Sequence, residues 1–253
     1  MKLLSWNVNG YRAALKKGLL DFAAAEKPDI LGLQEVKVSA DQLAGLELPA
    51  DYRAEWNSAE RKGYSGVAAF FRKAPEAVRR GLGEGRFDAE GRVIALEYRD
   101  FHLLNVYFPN GGAGPERLRF KLDFYEAFLK HIEGLRKTGK AVVFCGDVNT
   151  AHKELDLARP RENEGNSGFL PVERAWLDRV TGSGWVDTFR VFHAEGGRYS
   201  WWDYKTRARE RNVGWRLDYF FIDEGHKGMV KDAFILPDVQ GSDHCPVGIE
   251  LDA

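Results

Sequence analysis

The sequence predicts an α/β fold of stacked β-sheets with helices packed outside them. Three observations carry this. Short apolar runs with β-branched or aromatic content recur with turn residues between them, one long segment has clear helical periodicity, and the two kinds of segment are mixed rather than strictly alternating. Strands are expected at Leu3–Val8, Ile30–Leu33, Val67–Phe71, Val93–Tyr98, Leu103–Phe108, Ala141–Cys145, Ser200–Tyr204, Leu217–Ile222, Ala233–Leu236 and Val247–Leu251. From Glu116 to Arg136, Leu118, Leu122, Tyr125, Leu129 and Ile132 fall at steps of three and four, the spacing of one helix face. Weaker helical patterns run over Tyr11–Ala25 and Ala40–Leu46, and over Val172–Val180 behind Pro171, a residue suited to a helix start. The polar stretch His152–Gly168 reads as a long loop, a feature that is usually functional or disordered in a compact domain.

At 253 residues the chain is long enough to bury a sizeable core without disulfides or structural metals. Strands are expected almost from end to end, so residues 1–253 read as one domain. With 37 Lys+Arg against 38 Asp+Glu the formal charge is −1, so any nucleic-acid surface must be local. Composition disfavours disorder, collagen and coiled coil. Cys145 and Cys245 are too far apart in sequence for a zinc ribbon or disulfide scaffold and favour a reducing compartment. The N-terminal apolar run is too short for a signal peptide and no long apolar stretch follows, so a cytoplasmic location with no membrane partner is expected.

The informative pattern is that hydrophobic strands end in polar groups able to hold a metal or a phosphate. Asn7 and Asn9 stand at the end of the first, Glu35 follows the second, and Leu103–Phe108 contains Tyr107 and leads to Asn110. Asp147 and Asn149 follow Ala141–Cys145, Asp218 opens the Leu217 run, and Asp243-His244 precedes the last strand. Singly, each is an ordinary turn, cap or core residue. Together they describe a site presented by a rigid scaffold.

Six motifs resemble the exonuclease III type of apurinic/apyrimidinic (AP) endonuclease, within the endonuclease/exonuclease/phosphatase superfamily. They are Ser5-Trp6-Asn7-Val8-Asn9-Gly10-Tyr11-Arg12-Ala13, Leu33-Gln34-Glu35-Val36-Lys37, Asn105-Val106-Tyr107-Phe108-Pro109-Asn110-Gly111, Cys145-Gly146-Asp147-Val148-Asn149-Thr150-Ala151-His152, Asn212-Val213-Gly214-Trp215-Arg216-Leu217-Asp218-Tyr219 and Gly241-Ser242-Asp243-His244-Cys245-Pro246-Val247. They stand in the family's order over the whole chain. The resemblance implies a four-layered α/β sandwich, two packed mixed sheets flanked by helices, as in deoxyribonuclease I. It also implies Mg²⁺-dependent incision 5′ to an abasic site, leaving a 3′-hydroxyl and a 5′-deoxyribose phosphate, with 3′→5′ exonuclease and 3′-end cleaning beside it.

By the same resemblance Glu35, Asn7 and Asp243 form the Mg²⁺ site, with Mn²⁺ a substitute, and two-metal schemes place a second ion among Asp147, Asn149 and His244. Asp147 orients and deprotonates the attacking water, Asn149 holds water or phosphate, and Tyr107 supports the phosphate or leaving group. His244, steered by Asp218, either grips a phosphate oxygen as a charged donor or assists as the base. Trp201, Trp215 and Leu217 are implied to line an abasic-sugar pocket. Arg12, Lys17, Tyr64, Asn110, Asn163 and Asn166 are implied on the DNA side, where the basic run Lys205 to Arg216 reads as a backbone-tracking surface. The implied partner of a monomeric enzyme is double-stranded DNA with abasic sites or 3′ ends.

Two departures stand out. Asn9 occupies a position where some relatives have Asp, which predicts weaker Mg²⁺ binding, and Asn110-Gly111-Gly112-Ala113 has no match for an Arg that some relatives insert into DNA, which predicts looser product grip. A phosphatase or phospholipase of the same superfamily and a silent DNA-binding relative are the competing readings. The tryptophan-rich segments argue against the first. Intact Glu35, Asp147, Asn149, Asp243 and His244 argue against the second.

Overall fold

A computed structural model describes residues 1–253. In chain order the elements are β1 (Lys2–Asn7), α1 (Tyr11–Leu15), α2 (Leu19–Glu26), β2 (Ile30–Gln34), β3 (Arg53–Asn57), β4 (Val67–Phe71) and β5 (Ala77–Arg80). Next come α3 (Gly85–Asp88), β6 (Val93–Glu97), β7 (Phe101–Tyr107), α4 (Pro115–Arg136), β8 (Ala141–Asp147), α5 (Pro160–Asn163) and α6 (Pro171–Gly182). The chain closes with β9 (Trp185–Asp187), α7 (Thr188–Phe192), β10 (Trp201–Trp202), β11 (Gly214–Trp215), β12 (Asp218–Asp223), β13 (Val230–Ile235) and β14 (Val247–Leu251). Two six-stranded mixed sheets result, ordered β13-β14-β1-β2-β4-β3 and β5-β6-β7-β8-β12-β9, and β10 pairs with β11 as a separate ribbon.

Alternation along the central strands explains the layers, because successive side chains leave opposite faces of a strand. Leu3, Ile30, Leu103 and Val143 enter the core between the sheets. Their neighbours Leu4 and Leu31 pack under α1 and α2, while Leu104, Val142 and Phe144 pack under α4 and α6. Both faces of each sheet are therefore covered, as runs without polar alternation require. The expected four-layered sandwich is the observed one.

Some elements differ from expectation for local reasons. The single helix expected over Tyr11–Ala25 is broken at Gly18, which adopts the left-handed conformation (φ 94°) that glycine tolerates. Ala40–Leu46 yields only a 3₁₀ turn at Ala40–Gln42. In α4 the buried stripe is Lys121, Phe124, Tyr125, Phe128 and Ile132, with Leu118, Leu122 and Leu129 at its margin, because Lys121 turns inward to pair with Glu173 at 2.6 Å. The strand expected over Ser200–Tyr204 shrinks to two residues. The stretch His152–Gly168 is ordered around a 3₁₀ turn at Glu154–Asp156 and the short α5.

In the middle of the largely apolar interface the two sheets are tied by a buried polar bridge. Asn105 of β7 donates Nδ2 across the gap to the carbonyls of Leu33 (3.1 Å) and Ala68 (2.8 Å), and its Oδ1 accepts Gln34 Nε2 at 2.6 Å. Gln34 Nε2 also reaches Ser5 Oγ at 2.9 Å. Gly32 makes room for this bridge, since a Cβ there would lie 2.9 Å from Asn105 Cγ.

Replacing Asn105 by Ala should cost on the order of 3 kcal/mol in urea unfolding, because two carbonyls and an amide lose buried partners. Gly32→Ala should be costly in the wild type and much milder beside Asn105→Ala, where the clashing amide is gone. Equal costs in both backgrounds would show that Asn105 does not set the spacing of the sheets.

Candidate active site

Strand direction gathers the polar residues at one edge. β1 and β2 are parallel, with Asn7 opposite Gln34, and β7 and β8 are parallel, with Tyr107 opposite Asp147, so four carboxyl-terminal strand ends meet there. β12 and β14 run the other way and bring their starts to the same edge: Asp218 lies opposite Asp147, and His244 leads into β14. At the tips, Asn9, Glu35 and Asn149 hold positive φ (47°, 54° and 55°), a conformation that costs each a kcal/mol or so and persists only where the surroundings impose it.

Asn7 joins the two sheets beneath the site, its Nδ2 donating to Asp147 Oδ2 at 2.9 Å and to Glu35 Oε2 at 3.2 Å. Lys37 pairs with Glu35 Oε1 (2.9 Å) and donates to Asn9 Oδ1 (2.6 Å), and Asn9 Nδ2 in turn donates to Asp243 Oδ1 at 3.0 Å. Asn149 donates its backbone N–H to Asp147 Oδ1 (2.8 Å) and accepts Asn110 Nδ2 on its side-chain oxygen at 3.0 Å. His244 Nδ1 lies 2.8 Å from Asp218 Oδ2, and its Nε2 lies 3.8 Å from Asp147 Oδ2. Ser200 Oγ donates to Asp218 Oδ2 at 2.6 Å, so the carboxylate that orients the imidazole is itself held.

Burial and charge set the protonation states. Burial lifts Asp147 to about 7, with Asp218 adding to the rise and His244 opposing it. Burial alone would lower His244, but Asp218 and then Asp147 outweigh it and push the imidazole up to about 10. Asp243 is half-buried, which would raise it, yet His244, Asn9 and Trp201 hold it below the usual carboxylate value. Tyr107, half-buried and close to Glu35, has its phenol pushed up, which keeps it neutral.

The cavity over these groups measures about 340 Å³ and is lined by Asn9, Glu35, Tyr107, Asn110, Asp147, Asn149, Asp243 and His244 on its polar side. Trp201, Trp215 and Leu217 close the other side beside Ser167 and Gly168. The two indoles stand edge to face, 6.3 Å between centroids and 83° apart, already in contact with each other. Trp201 Nε1 donates to Asp243 Oδ2 at 3.1 Å and so links wall to polar floor. A larger cavity of about 660 Å³ lies elsewhere, beside Trp202. It lacks convergent chemistry: Arg198 is paired with Glu195, Arg209 is spent on the carbonyls of Pro237, Val239 and Ser242, and Glu210 and Asp238 share the lining.

Asp147, Asp218 and His244 present ligand atoms within 4.8 Å of one another, a group that could hold a metal, and Asp218 Oδ1 is buried with no hydrogen-bond partner. This differs from both expected sets by including Asp218. An ion there would compete for the proton that two carboxylates hold on His244. The oxygens of Glu35, Asp147, Asp243 and Asn149 are the hard donors a divalent cation takes. Asn7 turns its amide nitrogen to the carboxylates and keeps its Oδ1 on the Asn9 N–H (3.0 Å), so here it acts as a bridge rather than as an open ligand.

The residues expected on the DNA side lie outside the cavity, apart from Asn110. Arg12 is exposed and bonded to Gln42, Lys17 donates to the Gly241 carbonyl, and Tyr64 Oη accepts from Arg92 and Arg117. Asn163 and Asn166 bond Arg159 and each other at the surface. Arg216 is not part of a basic surface. It is 1% exposed and locked to Asp156 (2.8 Å) and Asp187 (2.7 Å), which holds the segment that carries Leu217 into the start of β12 at Asp218. Ser200, Ser167 and Gly168 belong to the site and carried no sequence signal beyond their neighbours.

A model of the Endonuclease/Exonuclease/phosphatase family matches residues 4–244. An exodeoxyribonuclease of Bacillus subtilis is 46% identical over 98% of each chain. A DNA repair nuclease, APEX1, of Danio rerio is 40% identical over 99% of this chain and 82% of its own. Among solved structures, an AP endonuclease of Leishmania major superposes with a TM-score of 0.90 at 32% identity, covering 98% of this chain and 86% of its own. A 3′-5′ exonuclease of Neisseria meningitidis superposes at 0.91 and 29% identity over the full length of both.

Both pKa rises mean that the folded metal-free site binds protons more tightly than the unfolded chain. Its contribution to stability should therefore be complete at low pH and decline as pH rises, through about 7 at Asp147 and about 10 at His244. Nitrogen NMR of the imidazole should find His244 protonated well above neutrality. In Asp218→Asn the titration should move down, and an unmoved titration would show that Asp218 does not carry the effect.

Proposed function

Because the chain belongs to the endonuclease/exonuclease/phosphatase family, in its exonuclease III branch of AP endonucleases and exodeoxyribonucleases, we propose that it cuts the backbone of double-stranded DNA 5′ to abasic sites, leaving a 3′-hydroxyl and a 5′-deoxyribose phosphate. Trimming and cleaning of 3′ ends would use the same site. One observation supports this reading above others: the polar group suited to phosphodiester hydrolysis and the tryptophan-walled slot line a single cavity. Two indoles set edge to face leave no parallel walls between which a base could stack, whereas a sugar without its base needs none. Selection is thus by shape.

The residues present suit Mg²⁺, with Mn²⁺ a substitute, held by Glu35 and Asp243 and, in a two-metal scheme, by Asp147 and Asn149. The ion would neutralise charge on the phosphate oxygens. Asp147, lifted to about 7 by burial, is tuned to orient and deprotonate a water near neutral pH. Asp218 and Asp147 favour the protonated form of His244, which suits it to a charged donor to a non-bridging oxygen more than to the base. Asp218 and Ser200 fix its ring. The Tyr107 hydroxyl, un-ionised, donates to the phosphate or to the departing 3′-oxygen. Asn149, steadied by Asn110, holds water or phosphate.

Incubating an abasic-site duplex with and without EDTA, and identifying the product ends, tests the reading directly. Cleavage should stop in EDTA and resume with Mg²⁺. Asp147→Asn should lower the single-turnover rate by orders of magnitude with little loss of abasic-DNA affinity. Undiminished cleavage in EDTA, or a near-normal rate in Asp147→Asn, would refute it.

Trp215→Ala should erode discrimination more than chemistry, with at most a few kcal/mol lost from sugar packing. The ratio of rates on abasic and intact duplexes is the measurement. An unchanged ratio would make Trp215 ordinary core.

A further inference from the structure

Arg92 lies outside the cavity, is 2% exposed, and is engaged on every side. Gly91, at φ +60°, presses so closely on the Asn57–Ala59 backbone that a Cβ would sit 2.5 Å from the Ser58 carbonyl carbon, so no side chain fits just before Arg92. Arg92 then grips Tyr107 at both backbone groups: its carbonyl accepts the Tyr107 N–H at 2.9 Å, and its Nη1 donates to the Tyr107 carbonyl at 2.8 Å. Its guanidinium carbon lies 4.7 Å from the centroid of the Tyr107 ring. On the other side Nη2 donates to the Tyr64 hydroxyl at 3.2 Å, and Nε meets Glu90 Oε2 at 2.5 Å. Glu90 also takes Arg117 in a two-pronged pair at 2.7 Å on each oxygen, and Arg117 donates to the same Tyr64 hydroxyl at 2.9 Å.

Resting on the reading that Tyr107 donates to the scissile phosphate, we propose that Arg92 is a positioning residue that sets Tyr107 from behind and couples it to Tyr64 at the protein surface. Only a planar fork with several donors in fixed directions can bond Tyr107, Tyr64 and Glu90 at once and also lie against the ring. Two guanidiniums against one carboxylate leave this cluster with a surplus positive charge. A phosphate backbone is drawn to that surplus, and a load placed on Tyr64 reaches Tyr107 through a single rigid side chain.

The test is single-turnover cleavage of an abasic duplex at saturating enzyme, with affinity measured in parallel. Arg92→Lys, which keeps the charge and loses the fork, should slow cleavage about tenfold or more, as a small misplacement of a reacting group does, while affinity changes little. Combined with Tyr107→Phe it should add almost nothing to the loss from Tyr107→Phe alone. Tyr64→Phe leaves Arg92 in place and guards against a folding defect, and its loss should likewise fail to multiply with that of Tyr107→Phe. Losses that multiply in both pairs, or a normal rate in Arg92→Lys beside a slow Tyr107→Phe, would overturn the proposal alone. A normal rate in Tyr107→Phe would overturn the role of Tyr107 and this proposal with it.

Discussion

The site exists because two sheets are held at one relative position, and the hydrogen bonds of Asn105 hold them there. Apolar side chains between the sheets favour burial but are tolerant of sliding, since hydrophobic contact has no direction. The Asn105 amide has direction: it is satisfied only when β7 faces the Leu33 and Ala68 carbonyls and Gln34. Leu33 and Gln34 lie at the end of β2, immediately before Glu35, Ala68 lies on the neighbouring β4, and Asn105 lies two residues before Tyr107 on β7. Whatever fixes the bridge therefore also fixes how far Glu35 and Asn7 of one sheet stand from Asp147 and Tyr107 of the other. A slip of one residue would turn each of these side chains to the wrong face.

The same geometry explains what could be read in the sequence. Central strands buried on both faces announce themselves as apolar runs, and their polar ends stand out against them. Most edge strands do not, β13 being the exception. β5 is Ala-Val-Arg-Arg with both arginines exposed, β3 is at most half-buried along its length, and β9 and β11 are three and two residues long, so neither apolar content nor alternation marks them. Long-range ion pairs are equally silent, because Lys121 and Arg216 have the same chemistry whether buried or not and only the carboxylates of Glu173, Asp156 and Asp187 draw them inward. Most of the site residues brought into one cavity stand in or beside the motifs, whereas Ser167 and Gly168 on its wall, the serine behind Asp218 and the arginine behind Tyr107 leave no local pattern.

Buried charge in the site is arranged in relays rather than pairs. Ser200 holds Asp218, Asp218 holds His244, and Asp147 faces the imidazole while Asn7 and Asn149 donate to its carboxylate. Each carboxylate oxygen bonded in this way is spared part of the penalty for leaving water. The left-handed backbone at Asn9, Glu35 and Asn149 belongs to the same arrangement, since these tips must bend back over the strand ends to reach their partners.

The ribbon of β10 and β11 has a consequence for how such a molecule can diversify. Trp201 and Trp202 are sequence neighbours and so face opposite ways: the first closes the active cavity, and the second is buried against Tyr199 and Ala208. One indole shapes what enters, and the other anchors the ribbon on which the first is mounted. Apart from the bond from Trp201 to Asp243, the ribbon contributes none of the groups that flank the scissile bond in the proposed mechanism. Substitutions at the outer tryptophan positions could then retune which lesion is admitted while the hydrolytic apparatus stays as it is, a separation that lets one scaffold give rise to nucleases of different preference.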